Sequence, residues 1–131
     1  MKSIFKPGDQ KSFKRTVLES DCAIFNGELL HRVCSTFALA RDFEWSSRLF
    51  FLEMKDDDEE GVGTMLSIDH KSPAFVGEEI LFIATVEKIE KNELICTMEA
   101  KVGDRIIATG KTGQKMLKKE KLRELFKTDL N

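Results

Sequence analysis

Three polar side chains in this 131-residue chain have the type and setting for acid–base or nucleophilic chemistry: Thr36, Glu44 and His70. Glu44 stands between Phe43 and Trp45 inside the apolar stretch STFALARDFEWSSRLFF, residues 35–51. At helical spacing its neighbours are Phe37, Ala40, Ser47 and Phe51. A bare carboxylate on such a face costs on the order of several kcal/mol unless it is paired or protonated. The ordinary partner is at hand, because Arg41 lies three residues before it and Arg48 four after. A helix pair at that spacing contributes only about 0.2–0.5 kcal/mol. Local ion pair and functional carboxylate therefore both fit the pattern. His70 closes GTMLSIDH just before Pro73. Its ordinary titration near neutrality suits a general acid or base, and a surface or hydrogen-bonded histidine fits as well. His31 has the weaker context of the two histidines. Thr36 or Ser35 can cap the helix that follows, and a hydroxyl there becomes a nucleophile only with a base nearby.

Other chemistries have no foothold. Cys22, Cys34 and Cys96 are odd in number, widely spaced and without metal-ligand spacing, which suits free thiols in a reducing compartment. No Gly-rich phosphate loop, nucleophile elbow or nucleotide fingerprint is present. With 21 basic against 23 acidic residues, a net charge of -2 exerts no general pull on nucleic acid or anionic lipid. MKSIFKPGDQ lacks an apolar signal core, and no apolar run approaches the roughly 20 residues of a membrane span. The expectation is a soluble cytoplasmic protein without nucleic-acid or membrane partners. Its length suits a single domain over 1–131, with 1–12 and 119–131 as candidate peripheral segments.

The elements that must position these side chains follow from periodicity. FKRTVLESDCAIF supplies a first strand of untidy alternation, and NGELLHRV a connector into the helix. The apolar residues of that helix spread around most of its circumference, so it should be wrapped by other structure. EMKDDDEEG reads as a solvated loop with Gly61 helping the chain turn. From Val62 the period becomes two: GVGTMLSIDH, EEILFIATVEKIE, ELICTMEAKVGDR and RIIATGKTGQKML read as antiparallel strands joined by hairpin-sized links. Pro73 and Gly77 interrupt pairing. KKEKLRELFKTDLN is a short helix or a frayed tail. One long helix with four or five antiparallel strands is an α+β layer architecture, the sheet curled around the helix. Its open edges make pairing between subunits a natural solution.

The arrangement resembles the hotdog-fold thioesterases, and within them the fluoroacetyl-CoA thioesterase-like family. That family places a Thr at the start of the central helix, a Glu eight residues later and a His twenty-six residues after the Glu. Thr36, Glu44 and His70 stand at those spacings. Val62, Gly63 and Thr64 precede the histidine, Pro73 and Gly77 follow it, and Ile107 and Gly110 match a later motif. The likeness runs from about Val17 to about Lys118. It implies a hotdog fold and hydrolysis of an acyl-CoA by Thr36, Glu44 and His70, with coenzyme A present only as part of the substrate. The carboxylate would activate water or attack the thioester, the histidine would move the proton, and a backbone N–H near Gly63 would hold the oxyanion. It also implies a homodimer or higher homo-oligomer with sites near the subunit interface. The lid phenylalanines of the fluoroacetate-specific member fall at Gly27 and Leu30 here, and an arginine falls at Gln114, so the acyl group does not transfer.

Two questions go to the structure. In one regular helix, Thr36 and Glu44 stand roughly 12 Å apart in rise. They share a site only through substrate or water, an irregular first turn, or a partner subunit. The basic run between Lys111 and Lys127 is a solvated face or a contact for the nucleotide end of coenzyme A. The competing function is a non-catalytic hotdog module that binds an acyl-CoA or related ligand.

Overall fold

Period-two segments become strands and the apolar stretch becomes one helix. The computed structural model describes residues 1–129, the side chains of 128 and 129 excepted. In chain order they form β1 (Gln10–Thr16), a 3-10 turn (Glu19–Asp21), β2 (Cys22–Phe25), β3 (Glu28–Cys34), α1 (Thr36–Met54), β4 (Glu59–His70), β5 (Glu79–Glu90), β6 (Glu93–Val102), β7 (Arg105–Lys118) and α2 (Lys119–Asp129). Five strands make an antiparallel sheet in the order β1-β5-β6-β7-β4, and β2 and β3 pair separately. The sheet wraps α1, which packs on β1, β4, β5 and β7, and the architecture is the α+β hotdog fold.

The alternation read from sequence is the core pattern. Ile80, Phe82, Ala84 and Val86 of β5 and Leu94, Cys96, Met98 and Ala100 of β6 face Leu39, Phe43, Phe50 and Met54 of α1. Phe43 meets Phe82 edge to face at 6.0 Å between centroids. Truncating either ring to Ala costs about 3–5 kcal/mol. Burial pushes the Cys34 and Cys96 thiols up to about 12, so they behave as small apolar side chains.

Several local expectations are corrected. α1 is not wrapped on all sides: Phe37, Trp45 and Leu52 lie exposed, because the sheet covers one face only. NGELLHRV is not a loose connector but a turn and β3. Asn26 and Gly27 both take positive φ, 52° and 78°, as a two-residue hairpin turn requires. The solvated loop is shorter than EMKDDDEEG, since β4 begins at Glu59, which is itself buried. Gly61 is in β4 and turns nothing; a Cβ there would lie 2.5 Å from Phe51 Cδ2. The glycine is a packing requirement. Towards the ends of the chain, Gln10–Thr16 pairs with β5, the Phe5 ring packs on Phe50 at 5.0 Å, and Leu122 of α2 is buried. The last two residues of the tail, 130 and 131, lie outside the described residues.

Candidate functional site

The start of α1 is held from two sides. Cys34 N donates to Ala74 O at 2.8 Å and Ser35 N to Asp21 O at 2.8 Å. Ser35 is the N-cap, its hydroxyl accepting from Ala38 N at 3.0 Å. Leu39 N donates to Ser35 O at 3.1 Å, so the first turn is regular. Capping by Ser35 frees the Thr36 hydroxyl, which lies 2.9 Å from His70 Nδ1. The other ring nitrogen, His70 Nε2, is buried and has no hydrogen-bond partner among the described residues. With the hydroxyl donating to Nδ1, Nε2 carries the proton and is a donor in want of an acceptor.

Two turns along α1, Glu44 opens on a cleft of about 270 Å³ lined by Arg41, Trp45 and Arg48 of the helix, Gly61 and Gly63 of β4, and Gln114 of β7. Neither flanking arginine pairs with it. Arg41 reaches Asp42 at 2.9 Å and Asp21 at 3.2 Å, and Arg48 reaches Glu60 at 3.0 Å. The Arg41 guanidinium is raised above its ordinary pKa, chiefly by the hydrogen bond it donates to the Asp42 carboxylate. Gly63 forms part of the wall beside the carboxylate: a Cβ there would stand 3.1 Å from Glu44 Oε1. The β4–β7 ladder pairs Gly63 with Gln114 and skips Thr64, which leaves an irregular backbone at this point. Gln114 Nε2 donates to Ser47 Oγ at 2.7 Å and to Glu44 O at 3.3 Å, and Ser47 Oγ donates to Glu44 O at 3.1 Å. The turn bearing Glu44 is thus fastened to β7 through neutral groups.

The sequence candidates therefore fall into two pairs, Thr36 with His70 and Glu44 with Gly63. Helix α1 runs antiparallel to β4, so Thr36 at the helix start meets His70 at the strand end, and Glu44 near the helix middle meets Gly63 nearer the strand start. Eight residues of a regular helix keep Thr36 and Glu44 roughly 12 Å apart along the axis. His31, on β3 opposite Ala23, is exposed and belongs to neither pair. Gly27 sits at the tip of the β2–β3 hairpin and Leu30 is half-exposed on β3. Among the described residues no three His, Cys, Asp or Glu side chains converge as for a metal. Sequence reasoning missed Ser47 and Gln114 as the support of the Glu44 turn. Ser47 was visible three residues after Glu44, whereas its bond to Gln114 joins residues 67 apart and left no local signal.

Comparison with known proteins agrees with this architecture. The family described as fluoroacetyl-CoA-specific thioesterase matches the sequence over residues 17–120. No curated protein matches it. A thioesterase superfamily member from Thermus thermophilus superposes with a TM-score of 0.89 at 28% identity, over 94% of this chain and 91% of that one. A mutant of the fluoroacetyl-CoA-specific thioesterase FlK gives 0.89 at 16% identity, over 98% and 99% of the two chains. Another FlK mutant, solved in complex with acetyl-CoA, gives 0.88 at 14% identity, over 97% and 100%. The last two likenesses concern the fold. The match across 17–120 is the decisive one, and by it the chain belongs to the fluoroacetyl-CoA-specific thioesterase family.

Proposed function

We propose that this protein is an acyl-CoA thioesterase that hydrolyses a CoA thioester to the free acid and CoA. Thr36, Glu44 and His70 are its catalytic groups and Gly63 lines the substrate site. The observation that carries the reading is the solitary Glu44 carboxylate: both arginines that would neutralise it are engaged elsewhere, and it faces a cleft. Family membership and the acetyl-CoA complex of an FlK mutant support the substrate class.

The chemistry needs no cofactor, since coenzyme A enters as part of the substrate. Glu44 takes a proton from water as its oxygen bonds to the thioester carbonyl carbon, or attacks that carbon itself to give an anhydride that water opens. Charge on the carbonyl oxygen is met by a backbone N–H at the irregular Gly63 segment. The C–S bond then breaks, the proton released by the attacking water passes to the departing thiolate, and His70 Nε2–H donates a hydrogen bond that stabilises the leaving sulfur. Thr36 holds the ring by Nδ1.

The two pairs form one site in a homodimer. β4 is an open edge, with Met65 and Leu66 exposed midway between Gly63 and His70. Antiparallel pairing of two β4 edges about that midpoint sets His70 of one copy opposite Gly63 of the other. The Thr36–His70 pair of one copy then completes the Glu44–Gly63 pair of the other. Among the described residues no helix is long and apolar enough to cross a membrane. The three buried cysteines, free among the described residues, suit a reducing cytoplasm.

The test is a panel of acyl-CoAs from acetyl to long-chain, read by free-thiol release. Turnover that disappears in Glu44→Ala and His70→Ala, with the fold intact by circular dichroism, is expected. Tight acyl-CoA binding with no turnover anywhere in the panel would establish the non-catalytic binding module instead.

A further inference from the structure

The charges of this protein are unevenly satisfied. From Lys2 to Lys88, every lysine and arginine has a carboxylate within 4.0 Å. Lys119, Lys121 and Arg123 of α2 have none among the described residues. The same holds for Lys91 in the β5–β6 turn and Lys115 of β7. Met116 N donates to Asn92 O at 2.8 Å, so that turn lies at the end of β7 from which α2 starts. All the unpaired cations thus gather at one end of the molecule, although the chain as a whole is slightly acidic.

At that end α2 forms a groove of about 490 Å³, lined by Glu60, Lys119, Leu122, Arg123, Phe126 and Lys127. Its floor is apolar, with Leu122 buried and Phe126 half-exposed, and its rim is cationic. A flat aromatic ring beside fixed positive charge suits a planar, polyanionic ligand better than a purely apolar one. The groove neighbours the Glu44 cleft: Glu60 lines the groove and is ion-paired at 3.0 Å to Arg48, which lines the cleft. From Gly63 to Glu60 is three residues of β4, about 10 Å.

We infer that the α2 groove binds the nucleotide end of coenzyme A, its phosphates on Lys119 and Arg123 and its adenine on Phe126. This inference rests on the acyl-CoA reading above and deepens it. A CoA thioester carries its reactive carbonyl at one end and its phosphates and adenine at the other, joined by a flexible pantetheine arm. The 10 Å offset lies well within the reach of that arm. The thioester then lies beside Glu44 and Gly63 while the nucleotide lies along α2.

The test compares two thioesters of the acyl group hydrolysed fastest in the panel, one on CoA and one on N-acetylcysteamine, which lacks the nucleotide. In Lys119→Gln/Arg123→Gln the KM for the CoA thioester should rise roughly tenfold with kcat unchanged. The KM for the truncated thioester should stay as it was. Phe126→Ala should raise the first KM about threefold, on the scale of a lost aromatic contact, and spare the second. Lys101→Gln, at a paired cation elsewhere, should alter neither. An unchanged KM for the CoA thioester in the double variant, or an equal rise for both thioesters, would overturn the assignment. Were neither thioester hydrolysed by the parent protein, the thioesterase reading would fall, while calorimetric titration with CoA alone would still decide this one. Weaker CoA binding in the double variant upholds the groove, and unchanged or absent binding refutes it.

Discussion

Asp42 and Glu44 are carboxylates two residues apart on one helix, and the fold treats them oppositely. Asp42 is buried and held by Arg15 at 3.0 Å and Arg41 at 2.9 Å, while Ser46 Oγ donates to its backbone carbonyl. Glu44 is exposed in the chain, without a cation, against the bare backbone of Gly63. Two residues turn the helix by roughly 200°, so Asp42 is carried to a buried side of α1 while Glu44 faces the open cleft beside the edge strand β4. Sheet-side burial makes an unpaired charge costly, and that cost recruits both arginines to Asp42. The open face imposes no such demand, and Glu44 keeps its lone pairs for something that arrives. Acids two residues apart on one helix thus separate into a buried, ion-paired group and an exposed carboxylate facing a cleft.

The contrast can be broken at either residue. The largest expected effect is that of Glu44→Gln, which should lower turnover about 10³-fold, the scale of a lost general base, while thermal unfolding stays at the parent midpoint. A variant that retains more than a tenth of the parent turnover would end the catalytic assignment. Asp42→Asn should do the reverse, costing about 2 kcal/mol in denaturant unfolding, since its arginines can turn to water. Its turnover per folded molecule should stay near the parent value. Gly63→Ala comes next. Pressed 3.1 Å against Glu44 Oε1, the added methyl should lower kcat roughly tenfold with little change in unfolding.

The smallest effect concerns the Arg48–Glu60 ion pair beside the cleft. Burial works to raise the Glu60 carboxyl, but hydrogen bonds from Arg48 and Gly61 N–H outweigh it and hold it below the ordinary range. A depressed folded pKa contributes stability above the unfolded value, and the contribution is lost as pH falls through the folded one. The midpoint difference between the parent and Glu60→Gln, measured by thermal unfolding, should therefore shrink on acidification from pH 7 towards pH 3. A difference independent of pH would mean that the Arg48–Glu60 pair contributes nothing.

Much of the site was legible because its members sit at element ends or inside strongly patterned elements. Thr36 follows a capping serine and His70 closes a strand, so their positions came with the element boundaries. The partners of Arg41 and Arg48 were not legible. Helical spacing offered Glu44 to both, yet the arginines took Asp21, Asp42 and Glu60, the first and last from other elements. The hairpin β2–β3 was hidden because most of its β3 residues are exposed, so no alternation marks it. Gly61 was misread because a glycine in a charged stretch looks like a turn. Its reason, the Phe51 ring ten residues away, is a packing fact.

By itself the sequence determined the central helix, the strands after Val62 and their inward faces, because hydrophobic period is a local property that each segment carries. It also fixed the spacings of Thr36, Glu44 and His70 on which the family resemblance rests. Only the tertiary structure decided which charges are spent and which are left. Ion pairing depends on which side chains meet across the sheet and how much water each retains. The tertiary structure alone seated Thr36 against His70, released Glu44 from its arginines, and gathered the unpaired cations at one end of the fold.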